Sequence, residues 1–163
     1  MPVVHPAEIW KDSGRYFKIG PEMVRFHDRG ERDMVLAMTH EEVVADLLRD
    51  IVRSYRQLPF IVYHFQTKFR DEPRSRGGLI RVREFVMKDS YSFDVDDAGL
   101  QVSYDKHRAA YIKTFDRMGM NYVIVSAQSG AMGGSASEEF LATTESGEDT
   151  YVRCTTCDYA AKV

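Results

Sequence analysis

Apolar residues recur at helical spacing in one stretch of the chain, just after residue 40. They lie three or four positions apart, which places them on one face of a helix: Val43, Leu47, Leu48, Ile51, Val52 and Tyr55. Residues 39–42 have the form of a capping box, in which the Thr39 hydroxyl accepts a backbone N–H and Glu42 reaches back. The pattern predicts a helix that begins at Thr39 and runs toward Pro59.

A different pattern follows from Phe60 to Phe69, where apolar and polar side chains alternate. A period of two predicts a strand with one apolar face. Residues 79–87 predict a second strand, and the polar, glycine-containing segment 70–78 suits an extended hairpin loop. We therefore expect a strand, a basic loop and a strand.

The second half of the chain predicts one long helix and two further strands. The helix begins near Asp96 or Asp97, ends at Gly119 and carries apolar residues on one face: Leu100, Tyr104, Tyr111, Phe115 and Met118. Segments 121–127 and 138–143 predict strands on either side of a glycine-containing loop at 129–135. Because strands and helices do not alternate regularly, we expect an α+β fold with a mostly antiparallel sheet and flanking helices.

Composition fits one globular domain over residues 1–163, with 44% hydrophobic and 29% charged residues and no linker-like segment. The net charge of −3 gives no general attraction to nucleic acid, so any such contact depends on the local basic stretch between Lys68 and Lys88. No apolar run approaches the roughly 20 residues that cross a bilayer. We therefore expect a cytoplasmic protein that is not membrane-bound.

Two cysteines, Cys154 and Cys157, have the spacing of half a zinc site. A structural zinc site usually needs four ligands, and the five histidines are scattered without ligand spacing. The interpretation favoured here is two reduced thiols, and no metal site is expected. Zinc remains an alternative only with ligands beyond Val163.

The basic hairpin combines residue types that suit a nucleotide. Arg70 follows the first strand, where a guanidinium can bind a phosphate or carboxylate with two hydrogen bonds. Arg81 and Phe85, four residues apart, are expected on one face of the second strand, with the Phe85 ring available to an adenine and Glu72 to its amine. Taken singly, each of these residues is better explained as a solvated hairpin arginine or a core aromatic, and the cluster is what favours a nucleotide site.

Segments Thr67–Glu72 and Arg81–Asp89 resemble motif 2 of the class II aminoacyl-tRNA synthetases, in the version of the bacterial-type prolyl enzymes. Other segments resemble the same family: residues 1–4 (end of motif 1), 39–42 (proline site), 133–140 and 146–149. The resemblance covers essentially the whole chain. Glu138 stands where many relatives have histidine, so no role is assigned to it.

The resemblance implies a role for each matching residue. Arg70 would bridge the proline carboxylate and the ATP α-phosphate, as the catalytic arginine, and Thr39 and Glu41 would hold the proline imino group. Glu72 would bind the adenine amine, Phe85 would stack on its ring and Arg81 would face the triphosphate. Arg74, in the motif 2 loop, would reach the tRNA acceptor end. Without the resemblance, helix capping for Thr39 and the helix dipole for Glu41 are the preferred explanations.

The activity implied is that of a ligase of protein biosynthesis: ATP-dependent activation of L-proline to prolyl-adenylate and transfer to tRNA(Pro). ATP would enter with Mg²⁺ as its bound ion, and the complete enzyme is expected to be a homodimer. No G-x-G-x-x-R pattern typical of motif 3 is present, nor an anticodon-binding domain. We therefore expect a fragment, or an enzyme that continues beyond Val163, with little turnover by this piece alone.

Two alternatives compete with this interpretation. One is a non-catalytic, synthetase-like module that binds an amino acid or regulates a partner; the missing motif 3 favours it, whereas the complete set Arg70, Glu72, Arg81 and Phe85 argues against it. The other is a threonyl-tRNA synthetase, whose zinc ligands for threonine are not recognisable in this sequence.

Overall fold

The computed structural model describes residues 1–130 and 133–163, and they divide into two compact units, 1–101 and 102–163. Residues 131 and 132, which belong to the predicted glycine-containing loop, lie outside the described residues. Strands in the described part pair antiparallel, except for a parallel contact of Ser126 with Ala161. The expected α+β class and mostly antiparallel pairing are confirmed, with three sheets in place of one.

The first unit contains two sheets and three helices of its own. Its elements, in chain order, are β1 (Val4–Pro6), α1 (Glu8–Asp12), α2 (Arg15–Lys18), β2 (Arg25–His27), β3 (Asp33–Leu36), α3 (Glu41–Ile51), a 3₁₀ turn (Tyr55–Gln57), β4 (Phe60–Phe69) and β5 (Glu84–Phe93). The strand order is β1-β3-β2 in one sheet and β4-β5 in the other. A long helix, α4 (Asp97–Arg117), contains the boundary between the units.

A small apolar core holds the N-terminal elements of the first unit together. Its buried members come from α1 and the residue before it, from β3, and from the segment between α2 and β2: Ala7, Trp10, Ile19, Met23 and Val35. The Trp10 indole donates to His5 Nδ1 at 3.2 Å, so this buried N–H is satisfied. The core fixes β3, whose end leads directly into the segment before α3.

The β4–β5 hairpin agrees with the predicted first strand and differs at the second. Strand β4 has the predicted bounds, but β5 covers Glu84–Phe93 and not 79–87. Residues 70–83 form a longer connection that contains an isolated bridge between Arg76 and Arg81. Glycines Gly77 and Gly78 sit at its turn with φ of 71° and 63°, a backbone region that other residues rarely adopt.

The two faces of β4 are reversed relative to a usual half-buried strand. Ile61, Tyr63 and Phe65 on its apolar face are 45%, 69% and 70% exposed, whereas Lys68 on the opposite face is fully buried. Across the hairpin, His64 lies opposite Asp89, so the polar face of β4 meets charged partners. The buried side of this hairpin is therefore its polar side.

Helix α3 begins at Glu41, two residues later than predicted, and the predicted capping box is wrong. His40 is the N-cap and makes no side-chain capping bond. The Thr39 hydroxyl donates to the Glu41 carboxylate instead of accepting a backbone N–H. The Glu42 carboxylate is buried and accepts from Arg15 at 2.9 Å and from Ser13 at 3.0 Å. The side chains of Thr39 and Glu42 therefore bond to other side chains and not to the backbone at the start of α3.

The second unit contains most of α4 and a four-stranded sheet. Its strands are β6 (Tyr122–Ser126), β7 (Glu138–Ala142), β8 (Tyr151–Arg153) and β9 (Ala160–Lys162), in the order β7-β6-β9-β8. The predicted strands at 121–127 and 138–143 are confirmed by β6 and β7, and the predicted long helix by α4. No described helix combines the length and apolar character needed to cross a membrane.

The predicted apolar face of α4 is only partly covered. Phe115 is half-buried and packs with Tyr111, Tyr122 and Phe140 at ring-centroid distances of 5.4–6.0 Å. Tyr111 remains 44% exposed, and two further members of the predicted face, Leu100 and Met118, are 50% and 65% exposed. Helical spacing therefore identified the element correctly, but much of the predicted face lies in water.

Candidate functional site

Arg70 lies directly after β4, beside the segment that leads into α3. The Phe69 N–H donates to the Ala37 carbonyl at 2.8 Å, which joins the end of β4 to residues after β3. The Arg70 guanidinium then donates through Nε to the Met38 carbonyl at 3.2 Å. These bonds place Arg70 next to Thr39 in space, although the two residues are far apart in sequence.

The Arg70 guanidinium also lies over the ring of Phe85, 5.4 Å from its centroid. Phe85 belongs to β5 and pairs with Lys68 across the hairpin. A cation over an aromatic face is held by the ring quadrupole. The structure therefore brings together two residues that the sequence predicted for one nucleotide site.

Glu72 and Arg81 form an ion pair at the base of the 70–83 connection, with 3.0 Å between Oε2 and Nη2. The Arg74 backbone N–H donates to the Glu72 carboxylate at 3.0 Å. This bond first, and then the Arg81 guanidinium, lower the pKa of Glu72 below its ordinary value. Arg81 precedes β5, so the expectation that it shares a strand face with Phe85 is wrong.

Thr39 and Glu41 stand together at the start of α3, joined by the hydroxyl-to-carboxylate bond described above. Arg15 Nη1 lies 3.5 Å from the Glu41 carboxylate and 2.9 Å from that of Glu42. The Glu41 side chain is 37% exposed, whereas that of Glu42 is 3% exposed. Of the two acids, Glu41 alone offers a carboxylate that a small cation in solution can reach.

A buried polar network lies behind this site, and sequence reasoning missed it. One oxygen of Asp89, Oδ2, is 2.5 Å from Lys68 Nζ, 2.9 Å from His64 Nε2 and 3.1 Å from the Tyr91 hydroxyl. Burial alone would raise the pKa of Asp89, but Lys68 and His64 hold it below its usual value. Burial and the negative charge of Glu41 raise the pKa of Tyr91.

The imidazole of His40 extends this network toward the N-terminus. It is fully buried, its Nε2 is 2.9 Å from the Pro2 carbonyl, and its ring centroid is 4.8 Å from that of His64. Burial lowers the pKa of His40 to about 4, and the Lys68 ammonium adds to the effect. His40 is therefore neutral at physiological pH and contributes a hydrogen bond and no charge.

His40, His64 and Asp89 each present a potential ligand atom, and these atoms lie within 4.8 Å of one another. Imidazole and carboxylate groups are suitable zinc ligands. However, the Lys68 ammonium already lies 2.5 Å from the carboxylate oxygen that a metal would use. A divalent ion here would face a buried positive charge at short range, so we assign the cluster to structure.

We predict that His40 makes the chain sensitive to mild acid. In the folded chain the pKa of His40 is about 4, below its ordinary value of 6.5. The stability that neutral His40 contributes is therefore complete above pH 6.5 and is lost as the pH falls toward 4. Between about pH 7 and about pH 5 the free energy of unfolding should drop by roughly 2 kcal/mol from this group. Urea unfolding at the two pH values measures the drop. In His40→Gln the drop should shrink by that amount, and an unchanged drop would refute the assignment.

The network left little signal in the sequence. Lys68 and His64 occupy the polar face of an alternating strand, which normally faces water. Their contact with Asp89 depends on the register of the hairpin. The predicted second strand, 79–87, ended before Asp89, so the contact could not be seen from it. The alternation of β4 together with an acid at the correct distance on the return strand is the signal from which it could have been found.

Comparison with known proteins agrees with the fold and the motifs. The family model described as "tRNA synthetase class II core domain (G, H, P, S and T)" matches residues 24–162. The match spans most of the chain, and the chain belongs to this family. It is a class II tRNA synthetase core domain, the class to which its hairpin motif pointed.

Among curated proteins, the chain is similar to proline–tRNA ligases. It is 55% identical to that of Acidobacterium capsulatum over all 163 residues, and 58% identical to that of a Nocardioides species over 162 residues. The chain spans 28% of the length of each of these relatives.

Solved structures share the fold at low sequence identity. Prolyl-tRNA synthetase from Cryptosporidium parvum, crystallised with L-proline and AMP, matches 85% of this chain and 28% of that one with a TM-score of 0.71 at 16% identity. A structure titled as the RNA-binding domain of threonyl-tRNA synthetase from the same organism matches 78% of this chain and 32% of that one, with a TM-score of 0.68 at 23% identity. At these identities the likeness supports the fold alone.

Proposed function

We propose that this chain is the ATP- and proline-binding part of a cytoplasmic proline–tRNA ligase. Its similarity to proline–tRNA ligases over its full length supports the choice of amino acid. In the complete enzyme the product would be prolyl-tRNA(Pro), formed through prolyl-adenylate. We further propose that residues 1–163 are part of one class II catalytic domain, from the end of motif 1 through motif 2 and beyond, and that the complete enzyme is a homodimer.

The observation that carries the proposal is the position of Arg70. It contacts the Met38 carbonyl on one side and the Phe85 ring on the other. It therefore stands between the segment with Thr39 and Glu41 and the hairpin with Phe85. A guanidinium here can hold a carboxylate and a phosphate next to each other, which is the arrangement that amino-acid activation requires.

Glu41 gives the amino-acid side of the site its charge. Proline carries a secondary ammonium group, which has two N–H donors and one positive charge. The half-exposed Glu41 carboxylate can accept one donor and balance the charge, and the Thr39 hydroxyl keeps that carboxylate in place. Arg15 Nη1 lies 3.5 Å from the same carboxylate and is a second contact at the start of α3.

On the nucleotide side, Glu72 and Phe85 would bind the adenine amine and ring, and Arg81 would face the triphosphate. In the structure Arg81 pairs with Glu72 and Arg70 covers Phe85. ATP binding would therefore exchange these internal contacts for contacts to the nucleotide. Arg74, in the 70–83 connection, would contact the tRNA acceptor end.

Chemically, the proline carboxylate would attack the α-phosphate of ATP, forming a C–O–P bond as the bond to pyrophosphate breaks. No protein nucleophile is needed, because positioning and charge stabilisation carry the catalysis. Arg70 would stabilise the charge that develops on the α-phosphate oxygens. Mg²⁺, bound to ATP as part of the substrate, would supply further positive charge.

Calorimetric titration with a non-hydrolysable prolyl-adenylate analogue tests the proposal without requiring turnover. We expect the prolyl analogue to bind this chain more tightly than the threonyl and alanyl analogues, because only proline presents a secondary ammonium to Glu41. Circular dichroism on the same sample establishes that the chain is folded. Equal binding of the three analogues, or preference for the threonyl analogue, would overturn the assignment to proline.

A further inference from the structure

The turn between β8 and β9 presents the only two cysteines of the chain close together. Cys154 follows β8 directly, and its N–H donates to the Tyr159 carbonyl at 2.8 Å, which closes the turn. Cys154 is partly exposed and Cys157 is exposed. The backbone thus holds both thiols on one short turn where reagents in solution can reach them.

Two groups of Thr156 surround the sulfur of Cys154. The Thr156 backbone N–H donates to Sγ at 3.4 Å, and the Thr156 hydroxyl lies 3.1 Å from the same sulfur. Donors aimed at sulfur stabilise its anionic form. They lower the pKa of Cys154 to about 6, with smaller contributions from the thiol and N–H of Cys157. Cys154 is therefore largely a thiolate at neutral pH.

We propose that Cys154 and Cys157 form a reversible thiol–disulfide exchange site, in which Cys154 is the attacking sulfur and Cys157 the resolving one. The oxidant is a small disulfide of the glutathione class. The Cys154 thiolate attacks one sulfur of that disulfide, and one thiolate leaves. The Cys157 thiol then loses its proton and attacks Cys154, which forms the intramolecular S–S bond and releases the second thiol. The two cysteines are oxidised and the small disulfide is reduced to two thiols.

The surroundings of the turn favour exchange over metal binding. Among the described residues, the cluster whose ligand atoms lie close enough to hold an ion is that of His40, His64 and Asp89. It includes neither cysteine. Two thiolates alone supply half of a tetrahedral zinc site. The charged neighbours along the chain are Arg153 before Cys154 and Asp158 after Cys157, so the formal charges next to the pair balance.

Alkylation by iodoacetamide as a function of pH, followed for each cysteine by peptide mass spectrometry, tests the assignment of roles. We expect Cys154 to reach half its maximal rate near pH 6. In Thr156→Val, which removes the hydroxyl donor and keeps the side-chain shape, the rate at mildly acidic pH should fall by about threefold. A Cys154 profile centred near the ordinary value of about 8.5, in both proteins, would overturn the proposal.

Incubation with glutathione disulfide tests the exchange itself. The chain should lose two hydrogen atoms by mass and regain them with a dithiol reductant, whereas Cys157→Ser should stop at the mixed disulfide on Cys154. Accumulation of mixed disulfide in the unchanged chain would contradict the resolving role. Retention of one zinc ion per chain after dialysis, with both thiols protected from alkylation, would show a metal site and would overturn the exchange site.

Discussion

Replacing Arg70 by alanine should cost about 2–4 kcal/mol of transition-state stabilisation in proline-dependent ATP–pyrophosphate exchange by the complete enzyme. That cost corresponds to a rate roughly 30-fold to 1000-fold lower. The reason is geometric, since the Arg70 guanidinium lies between the Met38 carbonyl and the Phe85 ring. The loss should persist at saturating ATP and proline, because in the proposed role the guanidinium would act on charge that develops during the reaction.

Arg49→Ala is the matched control for this variant. Arg49 lies on α3 with its side chain 72% exposed, and its contact is a 3.7 Å ion pair with Asp46. Its removal also deletes one guanidinium, but exchange should stay within about twofold because surface pairs contribute little. Near-normal exchange in Arg70→Ala would remove Arg70 from the catalytic site. Binding of the prolyl analogue without exchange, in the unchanged enzyme, would favour a non-catalytic amino-acid-binding module.

The largest effect on stability is expected from Lys68→Met. The substitution roughly conserves side-chain volume and leaves the Asp89 carboxylate, which is only 10% exposed, without its closest cation, 2.5 Å away in the structure. Breaking a buried ion pair on one side typically costs about 3–5 kcal/mol. Urea unfolding at neutral pH should show that loss. The matched control is Lys88→Met on the exposed face of β5, for which we expect less than about 1 kcal/mol.

A second substitution separates charge from packing in this experiment. In Lys68→Met with Asp89→Asn, the amide keeps an oxygen that accepts from His64 and Tyr91 but carries no charge. The double variant should therefore be more stable than Lys68→Met alone by at least about 1 kcal/mol. If the double variant is the less stable of the two, the cost comes from lost packing of the Lys68 side chain and not from the uncompensated carboxylate.

Local patterns in the sequence were enough to predict several elements. The alternation along β4 gave both of its ends correctly, because a ten-residue strand shows its period clearly. The second strand of the hairpin was placed too early because Leu79 and Ile80 look like strand residues, yet they are 93% and 92% exposed in the turn. The start of α3 was misplaced because the partner of Glu42 is Arg15, whose proximity depends on the tertiary fold.

For the candidate site, the residue types could be predicted from the sequence, but which of these residues are neighbours depends on the fold. Arg70 and Phe85 were predicted for one site, and they lie in contact. The roles assigned to them stay predictions until binding is measured. That Lys68 is a buried cation was not predicted, because hydropathy places lysine at the surface and the wrong bounds for β5 hid its partner Asp89. Such pairs across a hairpin become visible only with its register.

The exposed apolar face of β4 changes what a survey of substitutions in this chain should find. Ile61, Tyr63 and Phe65 are the exposed residues of the strand, whereas Lys68 is buried and His64 is partly buried. Tolerance to replacement should therefore run opposite to hydropathy along these residues. To increase the solubility of the isolated chain, the first substitutions should place polar residues at positions 61, 63 and 65. His64 and Lys68 should be left unchanged.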